Sequence, residues 1–530
     1  MCSFSNRIGL CLIKAGMEEG LTRWQRWERH FSRYSLWYLF GISLLFAVLV
    51  GIFFSASLSP LFPAYSYDAL NRDANFYLRS GKEILAGKKP YLDFYDHKGP
   101  LVFYLNAAGM ALGGRYGVGI LLGISHFFTA FFLFLLVYQQ TKRSLDVCFA
   151  FALLSFFYGT NGSGNQNGDI VAPFCAMSLY FFITAFAKGI RSSRWYLALA
   201  IAGFEVAVSF FARPSDAIFG GSVCVAFFVC WCCRVKSWRW HLLWGILSAM
   251  GGFLFGIAIF GSIFASLGIL TPYYHAVFHD SNGYILHMQP KDAIFSRVMI
   301  CLYVLLSALS FIVARRRLSP EERLSRIAIF ALALTNGLLQ FVIAKYPQYW
   351  ISMFVLIVYQ IVFDFAFFFG RKGKRPFFFS SLGTVVALAT SLALSIYYPT
   401  FYYTSGHRYF SSASNEQIHR EIESLIPQEA LRSEDQVYYL DTGACLLLSY
   451  DSKNNCPYQT MQSWHAEFKP EVDQAVTAYL STYHPTYVVK ETLKKEGDYT
   501  FLTYLYTHYE KVNPSPENDS PIIQIYRYIG

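Results

Sequence analysis

Long apolar runs separated by short polar joints dominate the first three quarters of the chain. They cover residues 36–58, 117–138, 145–158, 170–187, 195–211, 217–233, 242–267, 294–314, 324–344, 349–369 and 377–397. A helix crosses the hydrocarbon core in ~20 apolar residues, so the pattern predicts an all-α polytopic membrane domain of about eleven transmembrane helices. The run at 145–158 is short for a span, and 101–112 is shorter still and reads as an interfacial or re-entrant helix. Beyond Pro399 the pattern changes. Helical stretches at 415–425 and 470–480 alternate with the short apolar runs 437–440, 487–489 and 522–526, which predicts a small C-terminal α/β domain.

The joints carry the charge, and the charge orients the helices. Arg23, Arg26, Arg29 and Arg33 lie among Trp24, Trp27 and Phe31, a basic aromatic pattern suited to a helix on the inner membrane surface. With that segment cytoplasmic, the basic clusters at 142–143, 188–194, 234–239, 315–317 and 371–375 all fall on the same side, as the positive-inside rule requires. The division that follows is a cytoplasmic basic segment 1–35, a transmembrane domain 36–398 with its first outer loop at 59–116, and an extracytoplasmic domain 399–530. The expectation is a multi-pass protein of the plasma (inner) membrane, with its N-terminus cytoplasmic and its tail outside.

Composition agrees, at 54% hydrophobic and 15% charged residues against roughly 25% charged in soluble domains. The net charge of +10 resides largely in the basic joints and does not point to nucleic acid. Among the 11 cysteines, Cys230 and Cys233 form the single CxxC spacing, at the end of an apolar run where cysteine serves as a small buried hydrophobe. Cys445 and Cys456 lie in the tail, where an oxidising compartment permits a bridge. Glu205 falls within a span and must face the protein interior, paired or protonated.

One polar segment stands apart. Residues 67–106 hold Asp68, Asp73, Glu83, Asp93 and Asp96 together with Arg72, Arg79, Lys82, Lys88, Lys89 and Lys98, a mixture that cannot lie in lipid. The topology places Asp73, Asp96, His97, Lys98, the polar loop 161–169 ending in Asp169, Arg213, His275, His279 and Lys345 on or near the outer side. Acids and cations converging on one face form the strongest functional signal in the chain.

Asp73-Ala74-Asn75-Phe76-Tyr77, Gly81, Gly87, Pro90-Tyr91 and Asp96-His97-Lys98-Gly99-Pro100-Leu101 resemble the first outer loop of polytopic C-type glycosyltransferases. The pattern is nearest to the protein mannosyltransferase-like and aminoarabinose transferase-like enzymes. The resemblance implies transfer of a sugar from a polyprenyl-phosphate donor to an envelope glycan or lipid acceptor at the outer face, usually with inversion. It implies Asp73 as the base that takes the proton of the acceptor hydroxyl. Lys98, with Arg213 and Lys345 as second choices, would hold the phosphate whose charge grows as the glycosidic bond breaks. Some relatives hold a divalent metal, for which Asp96 with His275 or His279 has suitable donor atoms. Asp169 and His97 are candidates for substrate contact.

Two positions depart from the pattern. Asp73 is followed by Ala74 where protein mannosyltransferases tend to carry a second acid, which weakens the case for a protein acceptor. Gly99 stands where a Lys-Pro-Pro segment has a proline. The rival reading is a transporter or flippase of a lipid-linked saccharide, favoured by inverted repeats and broken spans, neither of which is evident. A scaffold whose outer domain binds an envelope partner is a third.

Overall fold

The structure, a computed structural model, describes residues 23–54, 72–160, 164–187, 193–234, 238–280, 290–314, 320–343, 350–370, 412–440, 444–458, 466, 469–491, 498–513 and 523–530. After the basic helix α1 (Arg23–Arg33) come α2 (Ser35–Leu49), the loop helix α3 (Arg72–Leu85), α4 (Pro100–Thr141), α5 (Ser144–Thr160), α6 (Asn167–Ala187) and α7 (Arg194–Ala212). They are followed by α8 (Ile218–Arg234), α9 (Trp238–Ser266), the short α10 (Leu270–Tyr274), α11 (Pro290–Ala314), α12 (Pro320–Ile343) and α13 (Ile351–Gly370). Helices thus occupy every expected span among the described residues; the run 377–397 and Lys345 lie outside them. Seven of the described helices are long and apolar enough to cross a membrane, and three shorter apolar helices accompany them. The chain is an integral membrane protein.

Small residues decide how closely the helices approach. In α4 the backbone leaves the helix at Gly113 and Gly114, the latter at a φ of +61° that favours glycine. A straight helix would hold Gly109 and Gly117 about 12 Å apart, yet a Cβ on Gly117 would run into the Gly109 carbonyl, and one on Gly109 into Val118. The chain therefore folds back on itself, and the short helix expected at 101–112 is the first arm of a tight hairpin whose second arm is the span. In the same way Gly252 packs on the Ala200 carbonyl and Gly203 on the Ala249 carbonyl, so α7 and α9 touch along their backbones, a contact that helices in lipid use in place of hydrophobic drive.

The bundle has two chemically different ends. At one, α1 is clamped to the turn between α4 and α5: Ser144 donates through its N–H (3.0 Å) and hydroxyl (2.8 Å) to Glu28, and Phe31 stacks on Tyr38. This end carries Lys142 and Arg143. At the other lie α3, the 86–99 segment and the start of α6.

The tail forms the small α/β unit expected. Strands β1 (Val437–Leu440), β2 (Tyr487–Glu491), β3 (Tyr509–Lys511) and β4 (Ile523–Tyr528) are ordered β1-β2-β4-β3, with β1 and β2 parallel and the other pairs antiparallel. Alternate residues feed two cores, as the pleat dictates. Tyr438, Val488 and Tyr526 join Val472, Val476 and Phe501 on one face, while Tyr439, Val489 and Ile525 join Ile418, Ile422 and Leu446 on the other. Cys456 belongs to the first core and Cys445 to the second, and both are unbridged thiols. The tail packs directly on α3: Ala444 and Leu448 share a cluster with Tyr77, Leu78 and Phe103, and Asp451 pairs with Lys82. Tyr458 meets Tyr95 at 5.8 Å, and Lys469 Nζ lies 4.3 Å from the centre of the same ring.

Replacing Gly117 by valine should separate the arms of the hairpin and cost about 3 kcal/mol or more, an effect of overpacking. Gly123→Ala adds a Cβ in open space and should stay within about 0.5 kcal/mol of the parent. Thermal unfolding of the detergent-solubilised proteins, followed by fluorescence-detected size exclusion, distinguishes the two.

Candidate active site

Asp73 stands in the first turn of α3, which begins at Arg72, so it belongs to the helix and does not cap it. A carboxylate there is favoured by the positive end of the helix dipole. The 96–100 segment runs alongside. Lys98 Nζ lies 3.5 Å from Asp73 Oδ1 and 3.5 Å from Asp96 Oδ2, and 5.6 Å from the centre of the Tyr77 ring. The His97 backbone N–H donates to Asp96 Oδ1 at 2.6 Å, and its Nδ1 lies 3.1 Å from that oxygen. The two acidic points singled out in the sequence therefore meet across one lysine.

Backbone contacts hold this segment in place. The Gly99 N–H donates to the Ala212 carbonyl at 2.9 Å, and a Cβ on Gly99 would overlap the carbonyls of Phe211 and Ala212. Its φ of −69° is one that proline adopts. The absence of proline here is therefore not a matter of backbone angle: proline lacks the N–H, and no space exists for its ring. The Tyr91 hydroxyl donates to the Lys98 carbonyl, and Tyr273 of α10 packs on Tyr91 and Phe211.

The same contact brings Lys98 to the end of α7, whose next residue is Arg213. Its guanidinium grips Asp216 as a fork, Nε to Oδ2 at 3.0 Å and Nη2 to Oδ1 at 2.7 Å, a geometry that fixes the planar group. Gly168, in the first turn of α6, leaves room for it: a Cβ there would stand 3.2 Å from Arg213 Nη2. Tyr77 is buried beneath these charges. Burial first, then the Asp73 carboxylate, pushes its phenol well above its ordinary pKa, so it remains a neutral ring under Lys98.

Other expected residues are placed differently. His275 and His279 are exposed on the π turn that follows α10, with ring centres 6.3 Å apart. Among the described residues no three His, Cys, Asp or Glu side chains gather to hold a metal, and Asp96 is engaged by His97 and Lys98. The donors present do not form the expected metal set. Asp169 is fully buried; its Oδ2 accepts the Gln166 N–H at 2.9 Å, and Oδ1 lies 3.3 Å from His126 Nε2, close enough for ion pairing but not aligned as a hydrogen bond. It closes the turn before α6. Glu205 faces the interior as expected, accepting from the Ser209 hydroxyl at 2.9 Å and the Cys175 thiol at 3.6 Å. Sequence reasoning missed Tyr77, Asn106 and Asn165. Asn165 belongs to the polar run preceding Asp169, which was a legible signal; nothing marked Asn106.

Gly99→Ala should push the 96–100 segment away from α7 and so separate Lys98 from Arg213. We expect a cost of about 2 kcal/mol, an effect of overpacking, read as a lower thermal unfolding midpoint of the detergent-solubilised protein.

No protein-family model matches the chain, and no curated protein matches it significantly by sequence. Solved structures do. ArnT from Cupriavidus metallidurans bound to undecaprenyl phosphate superposes with a TM-score of 0.55 at 12% identity, covering 92% of this chain and 97% of that one. The same protein in the apo state gives 0.54 at 13% identity, covering 93% and 98%. The chain shares the fold of ArnT over most of its length, at a sequence distance that leaves only the fold in common.

Proposed function

We propose that the protein is a membrane glycosyltransferase that moves a sugar from a polyprenyl-phosphate donor to a hydroxyl of an envelope glycan or lipid. The observation that carries this reading is the meeting of Asp73 with Lys98 at 3.5 Å, at the helix end that presents Arg213. A carboxylate able to accept a proton and cations able to accept a phosphate are the two needs of the reaction, and here they are neighbours. The likeness in fold to a protein solved with undecaprenyl phosphate supports the choice of donor.

In this mechanism Asp73 takes the proton of the acceptor hydroxyl as its oxygen attacks the anomeric carbon. The bond from that carbon to the phosphate oxygen breaks, and its electron pair leaves with the phosphate. Lys98 and Arg213 stabilise the charge that develops there, more in the transition state than in the ground state. A single displacement inverts the anomeric centre. Lys345 is kept as a further phosphate contact on sequence grounds alone, and no step is assigned to a metal. The site faces the extracytoplasmic side, as the basic joints at the opposite end require of a positive-inside topology.

An apolar groove of about 610 Å³ runs between α2 and the second arm of α4, lined by Phe40, Leu44, Val48, Ile120 and Gly123, with Leu122 in its wall. Leu122 also belongs to the hydrophobic cluster that contains Tyr77, so the wall of the groove is continuous with the packing under the charged residues.

Asp73→Asn should lower transfer from a panel of polyprenyl-phosphate sugars by about 10³-fold or more, and Lys98→Ala by about 10²-fold, at unchanged thermal stability. Absence of turnover by the parent protein with every donor would sink the enzyme reading. Gly123→Phe, which fills the groove, should raise the donor KM about tenfold and leave kcat within about twofold, the pattern of lost ground-state binding.

A further inference from the structure

Two buried asparagines lie behind the candidate base. Asn106, on the first arm of α4, and Asn165, in the turn before α6, are both fully buried. They exchange side-chain amide hydrogen bonds in both directions: Asn165 Nδ2 to Asn106 Oδ1 at 2.7 Å and Asn106 Nδ2 to Asn165 Oδ1 at 3.0 Å. Each amide then uses its remaining donor on a backbone carbonyl. Asn106 bonds that of Val102 at 2.9 Å, and Asn165 bonds that of Ala74 at 3.2 Å. Asn165 adopts a φ of +63°, a conformation in which asparagine is among the few tolerated side chains.

Buried amides cost free energy unless fully hydrogen-bonded, and an apolar pair of similar size would fill the space without that cost. Ala74 is the neighbour of Asp73, in the first turn of α3, where a helix frays most readily. Two turns further on, Gly81 rests on the backbone of Asn106 and Ala107 so closely that a Cβ would stand 2.7 Å from the Asn106 carbonyl carbon. The helix is thus held at Gly81 by backbone contact and at Ala74 by the amide of Asn165.

We propose that the Asn106–Asn165 pair is a positioning clasp that holds the first turn of α3, and with it Asp73, in register with Lys98. Neither asparagine touches the reacting atoms. The clasp joins three separate segments, so it sets where the carboxylate stands relative to the start of α6 as well as to Lys98. The catalytic half of this inference rests on Asp73 acting as the base; the structural half does not.

The test uses the full-length protein in nanodiscs. The double variant Asn106→Leu/Asn165→Gly removes both amides together and so leaves neither one unsatisfied, and glycine accepts the positive φ at 165 without strain. Two readouts are taken. Hydrogen exchange in peptides covering residues 73–79 should quicken about tenfold or more, while exchange in the tail strands stays unchanged. With whichever polyprenyl-phosphate sugar supports turnover, kcat should fall about ten- to hundredfold at a donor KM within about twofold. Asn165→Gln, which keeps an amide at the wrong reach, should behave like the double variant. Unchanged exchange in the double variant overturns the clasp, and so does quickened exchange with undiminished kcat. Should the parent turn over no donor, the exchange result still decides whether the clasp exists, and only the glycosyltransferase reading falls.

Discussion

The hydrogen bond from the Gly99 N–H to the Ala212 carbonyl is the contact on which the candidate site depends. Charged side chains at the end of an apolar bundle are costly unless each has partners, and the charges here come from distant parts of the chain. Lys98 arrives from the first loop, Arg213 from the end of α7, and Asp73 from α3. A backbone contact with no room for a side chain fixes the first two relative to each other, and the Lys98 ammonium then lies between Asp73 and Asp96 at equal distances. Arg213 is neutralised separately by Asp216. The result is a cluster in which each of these charges is already partnered within the protein.

Much of this was legible in the sequence because the responsible forces are local. Spans follow from hydropathy, strands 437–440 and 487–489 from short apolar runs between helical ones, and the likeness of the 73–101 segment from contiguous residues. What escaped was whatever depends on partners far apart in the chain. Asn106 reads as one polar residue in an apolar run until Asn165 is placed against it. Gly99 reads as a missing proline until the Ala212 carbonyl is placed above it. The three-residue strand β3 is too short for any periodicity, and its existence follows from pairing with β4.

Tyr77 ties these parts together. Its ring lies under Lys98 on one side of the helix that carries Asp73, and it shares a cluster with Ala444 and Leu448 of the tail. The tail is therefore in contact with the same helix that presents the carboxylate, through the cluster and through Lys82 with Asp451, and with the 86–99 segment through Tyr95, which meets Tyr458 and Lys469.

That docking bears on how such proteins can be recombined. The composition break near Pro399 invites treating the tail as a detachable module to be swapped between relatives. The contacts do not divide the molecule there. Helix α3 and the 86–99 segment form one half of the tail's interface, so a chimera cut at the composition break would join a foreign sheet to a native landing surface. Moving residues 72–99 along with the tail does not free the unit either, because Gly81 and Gly99 seat that segment on the bundle with no room for a side chain, so the tail, the segment and the bundle are matched to one another.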